Sequence, residues 1–251
     1  MNDTGLPYTL VELTAPRLGL IALQSDETIE GDMRRLLPQT CDFMVSRVPS
    51  DVEVSASTLA AMEGHLSAAA ALFPVDAGFD VVGYGCTSGT AQIGAAQVAA
   101  RIQVATTTRA VTQPLDALVA ACHHLGITRL ALLSPYVAQV SRHLQTALAG
   151  AGIETPVFGS FDVSTERSVV RISPASITAA AEHLMQGADV QGLFISCTNL
   201  RTLDVIESLE KTLGKPVLSS NQVLGWHMMQ LAGLSPDRDM PGQIFRRTAA
   251  G

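Results

Sequence analysis

Cys86 and Cys197 stand in near-identical settings, 111 residues apart. Residues 80–87 read DVVGYGCT and residues 191–198 read QGLFISCT, each a short apolar run closed by Cys-Thr. Apolar runs of this length read as buried parallel strands. The carboxyl end of such a strand is where open α/β sheets bind ligands. Two thiols on two equivalent strand ends can flank one substrate carbon. That arrangement suits cofactor-free acid/base or covalent chemistry, with one thiolate taking a proton or adding to carbon and the other thiol supplying a proton. Cys41, in a loop-to-strand transition, and Cys122, in an apolar helical pattern, read instead as small buried hydrophobes.

The neighbours extend the same chemistry. Thr87, Ser88, Thr198 and Asn199 are N-cap residue types. Helices starting there would turn free N–H groups and a positive dipole end toward the cleft, suited to a carboxylate and to lowering a thiol pKa. Tyr136, after the run RLALLSP, is a hydroxyl donor for a carboxylate or enolate oxygen. Gln24 and Ser25 close the first apolar run, so four strand ends surround one cleft. GYGCTSG lacks the GK[ST] of a phosphate loop and is not GxGxxG, which argues against a nucleotide. There is no CxxC and no HExxH, so no metal is expected. The two lysines, Lys211 and Lys215, sit beside Pro216 in a surface setting, which argues against a Schiff-base cofactor. The histidines fall within or beside helical patterns and read as surface or interface residues. The reading is of an enzyme without a cofactor.

The elements that position these residues alternate. Strand patterns cover 17–23, 43–48, 80–84, 102–106, 129–134, 155–158, 192–196 and 216–219. Helical patterns cover 58–73, 115–125, 137–149, 175–185 and 203–213, with a short last helix at 224–231. Alternation of this kind implies parallel sheets flanked by helices. The order also repeats. Arg17-Leu18-Gly19-Leu20 matches Arg129-Leu130-Ala131-Leu132, Cys86 matches Cys197, and Val104-Ala105-Thr106 matches Val217-Leu218-Ser219. The spacings are 112, 111 and 113 residues. The fold expected is α/β, two flavodoxin-like halves related by a pseudo-twofold, with the active site between them. The halves would be residues 1–113 and 114–251, the last helix packing on the first half. The tail from residue 235 onward is expected to be poorly ordered or to pack on a neighbour.

Composition bounds the rest. A chain of 251 residues, 47% hydrophobic and 16% charged, can bury a sizeable core. A net charge of −7 argues against nucleic acid as partner. The start MNDTGLPYTL carries no signal-peptide pattern, and no apolar run reaches membrane-spanning length. Four cysteines without a secretion signal read as reduced thiols in the cytoplasm. A homo-oligomer, dimer or higher, is expected.

The stretches GYGCTSG, LLSPY, RISPASI at 171–177, FISCTNLRTLDVIESLEKTLGKPV and SSNQVLGWHMMQLAG are distinctive. On them the chain resembles the aspartate/glutamate racemase superfamily over nearly its whole length. It looks most like the branch of maleate cis-trans isomerase, arylmalonate decarboxylase and the ectoine-utilisation isomerase-like proteins, nearest the last. The resemblance implies that Cys86 is the nucleophile of isomerase-like members, or one of two acid/bases in racemases, with Cys197 its partner. It implies that Thr87, Ser88 and Tyr136 surround a substrate carboxylate, with Thr198 and the backbone after Cys197 at a second carboxylate site. The decarboxylase has glycine where this chain has Cys86, which disfavours decarboxylation. Maleate isomerases place an asparagine near Gln24 and Ser25, which speaks against maleate itself. The expected function is a racemase or isomerase using Cys86 and Cys197 on a small carboxylate or amino acid derivative. The alternatives are cis-trans isomerisation through a covalent Cys86 adduct, decarboxylation, and metabolite binding without turnover.

Overall fold

The first strand, β1 (Arg17–Leu23), is buried along nearly its whole length, as an apolar run flanked by parallel neighbours must be. In this computed structural model, which describes residues 5–237 and 239–246, it begins an alternating series. There follow α1 (Ile29–Leu36), β2 (Asp42–Val48), α2 (Ala56–Ala61), α3 (Glu63–Ala70), β3 (Phe79–Gly85), α4 (Thr87–Ile93), α5 (Ala95–Gln103) and β4 (Thr108–Thr112). The series then resumes with α6 (Pro114–Leu125), β5 (Arg129–Tyr136), α7 (Ala138–Gly150), β6 (Glu154–Val163), α8 (Glu166–Val169), α9 (Pro174–Met185), β7 (Gly192–Ile195), α10 (Leu203–Leu213), β8 (Val217–Ser219) and α11 (Ser220–Ala232). None of these helices is long and apolar enough to cross a membrane.

The strands form two four-stranded parallel sheets with one order used twice, β2-β1-β3-β4 and β6-β5-β7-β8. Leu18 pairs with Val81 in the first sheet, and Leu130 with Gly192 in the second. Two of the three sequence anchors of the repeat therefore hold. The third does not. The strand expected at 102–106 begins inside α5, where Val98 and Ile102, one helical turn apart, are both fully buried while Val104 is exposed. The strand itself lies later, at β4. Val111 pairs with Val82 as Val217 pairs with Leu193, so Val111 is the counterpart of Val217.

Three further differences concern helices and the tail. The helix expected over 58–73 is two helices meeting at Met62. The last helix is longer than expected. It lies against the first sheet, where a Cβ on Gly83 would come 2.8 Å from Met228 Sδ. The tail was expected to be poorly ordered or to meet a neighbour, but its described part folds back on its own half. Ile244 and Phe245 are buried, the Gln243 N–H donates to the Glu210 carboxylate, and Gln222 Nε2 donates to Pro241 O. Residues 238 and 247–251 of that tail lie outside the described residues.

The halves also touch across the cleft. Residues 52–54 of the first half run antiparallel to 164–166 of the second, around a Glu53–Thr165 bridge. The Val54 N–H donates to Ser164 O at 2.8 Å and the Glu166 N–H to Val52 O at 3.4 Å.

Candidate active site

The two thiols sit at equivalent strand ends on different backbones. Cys86 ends β3 and caps α4, its Sγ accepting the Gly89 N–H at 3.2 Å. A Cβ on residue 89 would lie 2.8 Å from that sulphur, so glycine is what lets the turn close. Cys197 follows β7 in a turn with φ of 102°, a region costly for any residue with a Cβ. The helix expected directly after it is absent; α10 begins only at Leu203, so Thr198 and Asn199 are not caps. Instead the Cys197 N–H donates to Ser220 Oγ at 2.9 Å, and Ser220 Oγ lies 2.7 Å from Thr87 Oγ1. One serine at the start of α11 thus ties both strand ends together.

Around Cys197 runs a hydrogen-bonded chain that the sequence did not announce. The Tyr136 hydroxyl lies 3.0 Å from Cys197 Sγ and donates to Glu166 Oε1 at 2.6 Å. Asn199 Nδ2 donates to Glu166 Oε2 at 2.8 Å, while Asn199 Oδ1 accepts the Glu27 N–H at 2.9 Å, which fixes the amide's orientation. The Thr198 hydroxyl donates across the cleft to Gly85 O at 3.2 Å. Ser25 Oγ pairs with Ser50 Oγ at 2.9 Å, and Gln24 is exposed at the strand end with its N–H bonded to Val48 O. Ser88 is buried. Its hydroxyl, and the N–H groups of Thr87 and Ser88, have no acceptor or donor partner among the described residues. Asp26, also unmarked by any sequence pattern, caps α1 through Oδ1, which accepts the Thr28 and Ile29 N–H groups at 2.8 Å. Its Oδ2 has no hydrogen-bond partner within bonding distance, and the nearby Thr198 hydroxyl donates to Gly85 O.

Burial dominates the electrostatics. The sulphurs belong to residues only 5% and 4% exposed. Burial pushes the Cys86 thiol up to about 12, against the Gly89 N–H that lowers it. The Cys197 thiol is held well above its ordinary value, by burial first and by the Glu166 charge second. The sequence-level expectation of a lowered Cys86 pKa is therefore reversed, because desolvation of a thiolate outweighs one N–H donor and a short helix. Both thiols rest neutral, poised to give protons. Burial also raises the Glu166 and Asp26 carboxyls.

The model of the arylmalonate decarboxylase family matches residues 35–245. The chain belongs to that family. It is 25% identical to the maleate isomerase of Pseudomonas putida over 88% of this chain and 93% of that one. It is 31% identical to the arylmalonate decarboxylase of Bordetella bronchiseptica over 43% and 46% of the two chains. The fold is shared with a solved structure of the Nocardia farcinica maleate cis-trans isomerase, at TM-score 0.81 and 23% identity, covering 93% of this chain and 99% of that one. That structure is a cysteine-to-serine variant with a covalently bound succinylcysteine intermediate.

Within this member of the arylmalonate decarboxylase family, a cavity of about 800 Å³ opens on the Glu166 side of the site. Its lining includes Ser25, Glu27, Glu166, Arg167, Arg171 and Arg201, but neither cysteine. Glu166 therefore lines the open cavity and is linked through the Tyr136 hydroxyl to Cys197. Arginines at a cavity mouth raise the local concentration of anions.

Proposed function

We propose that the protein is a cofactor-independent isomerase that converts a small cis-alkenoic acid to its trans form through a covalent Cys86 adduct. The observation that supports this reading is the pair of buried thiols at two equivalent, serine-tied strand ends, in a family whose relatives include maleate isomerases. Cys86 lends its proton to the nearby Asp26 carboxylate, whose Oδ2 has no hydrogen-bond partner, and as thiolate adds to one alkene carbon while the electron pair moves to the carbon next to a carboxylate. Tyr136, Ser88 and the N–H groups of Thr87 and Ser88 stabilise the resulting enediolate. Cys197 gives its proton to that carbon, leaving a saturated thioether. Rotation about the new single bond follows. The Cys197 thiolate then takes a proton back, the Cys86–carbon bond breaks, and the trans alkene leaves.

Racemisation is the second reading, favoured by the same equivalence of the two strand ends. There one thiolate removes an α-proton and the other thiol protonates the opposite face. Intact-protein mass spectrometry separates the two. Incubation of the Cys197→Ser variant with the half-amide of cis-butenedioic acid should add the mass of one substrate to Cys86. Deuterium wash-in at a saturated α-carbon with no adduct would establish racemisation instead. Neither adduct nor exchange across a panel of small carboxylates would leave a binding protein.

A further inference from the structure

Glu166 is a buried carboxyl that lines the open cavity and is hydrogen-bonded toward Cys197. It lines the cavity, its Oε1 reaches Cys197 through Tyr136, and its charge acts on both Cys86 and Cys197. Any ligand seated between the sulphurs therefore lies within reach of its field. Both carboxyl oxygens accept hydrogen bonds, and the Asn199 amide cannot turn to offer an acceptor, since Glu27 N–H holds its oxygen. The second acid close to the thiols, Asp26, adds charge of the same sign. No lysine, arginine or histidine side chain among the described residues hydrogen-bonds to Glu166.

We propose that Glu166 is a specificity-determining residue that restricts the site to substrates with a single carboxylate and a hydrogen-bond donor (an amide, amine or hydroxyl) at the other end, and excludes dicarboxylates. The inference rests on the reading of the site as one for a small carboxylate. A second carboxylate brought against Glu166 meets a like charge in a water-poor setting, where such juxtapositions are strongly unfavourable. A carboxamide in the same place donates an N–H to an oxygen that has a second lone pair free. The half-amide of a four-carbon diacid has the required form.

Isothermal titration with succinate and succinamate, which have no alkene for a thiol to attack, tests the proposal apart from turnover. The wild type should bind succinamate at least about tenfold more tightly than succinate. Glu166→Gln should narrow or invert that ratio, and Glu166→Ala should narrow it too if the Gln variant folds poorly. Succinate bound as tightly as succinamate by the wild type, or a ratio unchanged in both variants, overturns the role of Glu166 and leaves the thiol chemistry standing. Binding of neither acid overturns this inference together with the carboxylate reading it rests on. An adduct on Cys86 reports on that reading independently.

Discussion

Cys86 and Cys197 occupy matching places but differ in backbone cost. Cys86 is extended, while Cys197 is held at positive φ, where a residue with a Cβ loses about 1–3 kcal/mol. A strained backbone at a reactive side chain is stability traded for position. Replacing Cys197 with glycine should therefore destabilise the fold less than replacing Cys86 with glycine, by about 1–3 kcal/mol in chemical denaturation. Equal losses would show that the turn at Cys197 is unstrained. Activity separates the thiols from the other cysteines. Cys86→Ser and Cys197→Ser should each lower turnover by roughly 10²-fold or more, because a serine hydroxyl is a far weaker acid than a thiol. Cys122 is fully buried away from the site, and Cys122→Ser should leave kcat unchanged while costing about 1–3 kcal/mol of stability for a hydroxyl without a partner. Tyr136→Phe removes the donor to Glu166 and the hydroxyl oxygen beside the Cys197 thiol. It should lower kcat, and near-wild-type kinetics would make Tyr136 a packing residue.

Helix α1 meets the start of α11 through a buried pair, Asn221 Nδ2 donating to Asp32 Oδ2 at 2.8 Å. Burial raises the Asp32 carboxyl from its ordinary 3.8 to about 6, with Asn221 and Arg35 opposing the shift and Asp26 and Asp204 adding to it. Between those values the folded state holds more proton than the unfolded chain, so this group makes the protein more stable as pH falls through the window and less stable above it. Asp32→Asn keeps an acceptor for Asn221 and removes the charge. Its melting temperature should exceed the wild type's near pH 8, with the gap closing as pH falls from about 6 toward 4. A gap independent of pH would mean that Asp32 titrates alike in the folded and the unfolded chain. Elements differ in how far their sequence announces them. The buried strands β1, β3, β5 and β7 were plain, because a strand covered on both faces must be apolar throughout. β4, TRAVT, is a half-buried edge with polar residues, and the more apolar 102–106 drew the assignment away from it. Helix α1 was missed although Ile29, Met33 and Leu36 recur at helical spacing, because charged residues fill the rest of it. The site divides the same way. Cys86, Cys197 and Tyr136 could be singled out from sequence because strand ends are local features. Glu166 and Asp26 could not, since a lone acid beside Arg167 or Glu27 looks like surface until chain folding brings Tyr136, Asn199 and the thiols to it.

The whole molecule is two copies of one sheet order closed on each other, and α11 makes the halves interdependent. It is built from the second half, rests on β3 of the first, and through Ser220 touches both thiol-bearing strand ends. Ser220→Ala should therefore lower kcat without acting as an acid or base, and its effect should be insensitive to pH. A pH-dependent loss would mean that Ser220 itself exchanges a proton with substrate.

The pairing of residues 52–54 with 164–166 makes the two sulphurs a clock. At 5% and 4% exposure they should meet an alkylating reagent only when the fold opens locally, and the pairing that joins the two halves is the expected opening. Two backbone hydrogen bonds of net about 1 kcal/mol each leave the parted form populated on the order of a few per cent. With fast reclosure, iodoacetamide should modify Cys86 at the free-thiol rate scaled by that fraction, so the labelling half-life reads out an equilibrium rather than a nucleophilicity. Val54→Pro deletes the N–H given to Ser164 O and should shorten the half-life roughly fivefold. A saturating carboxylate should lengthen it. Labelling at one speed in all three cases would show that small molecules reach the sulphurs by a door elsewhere in the fold.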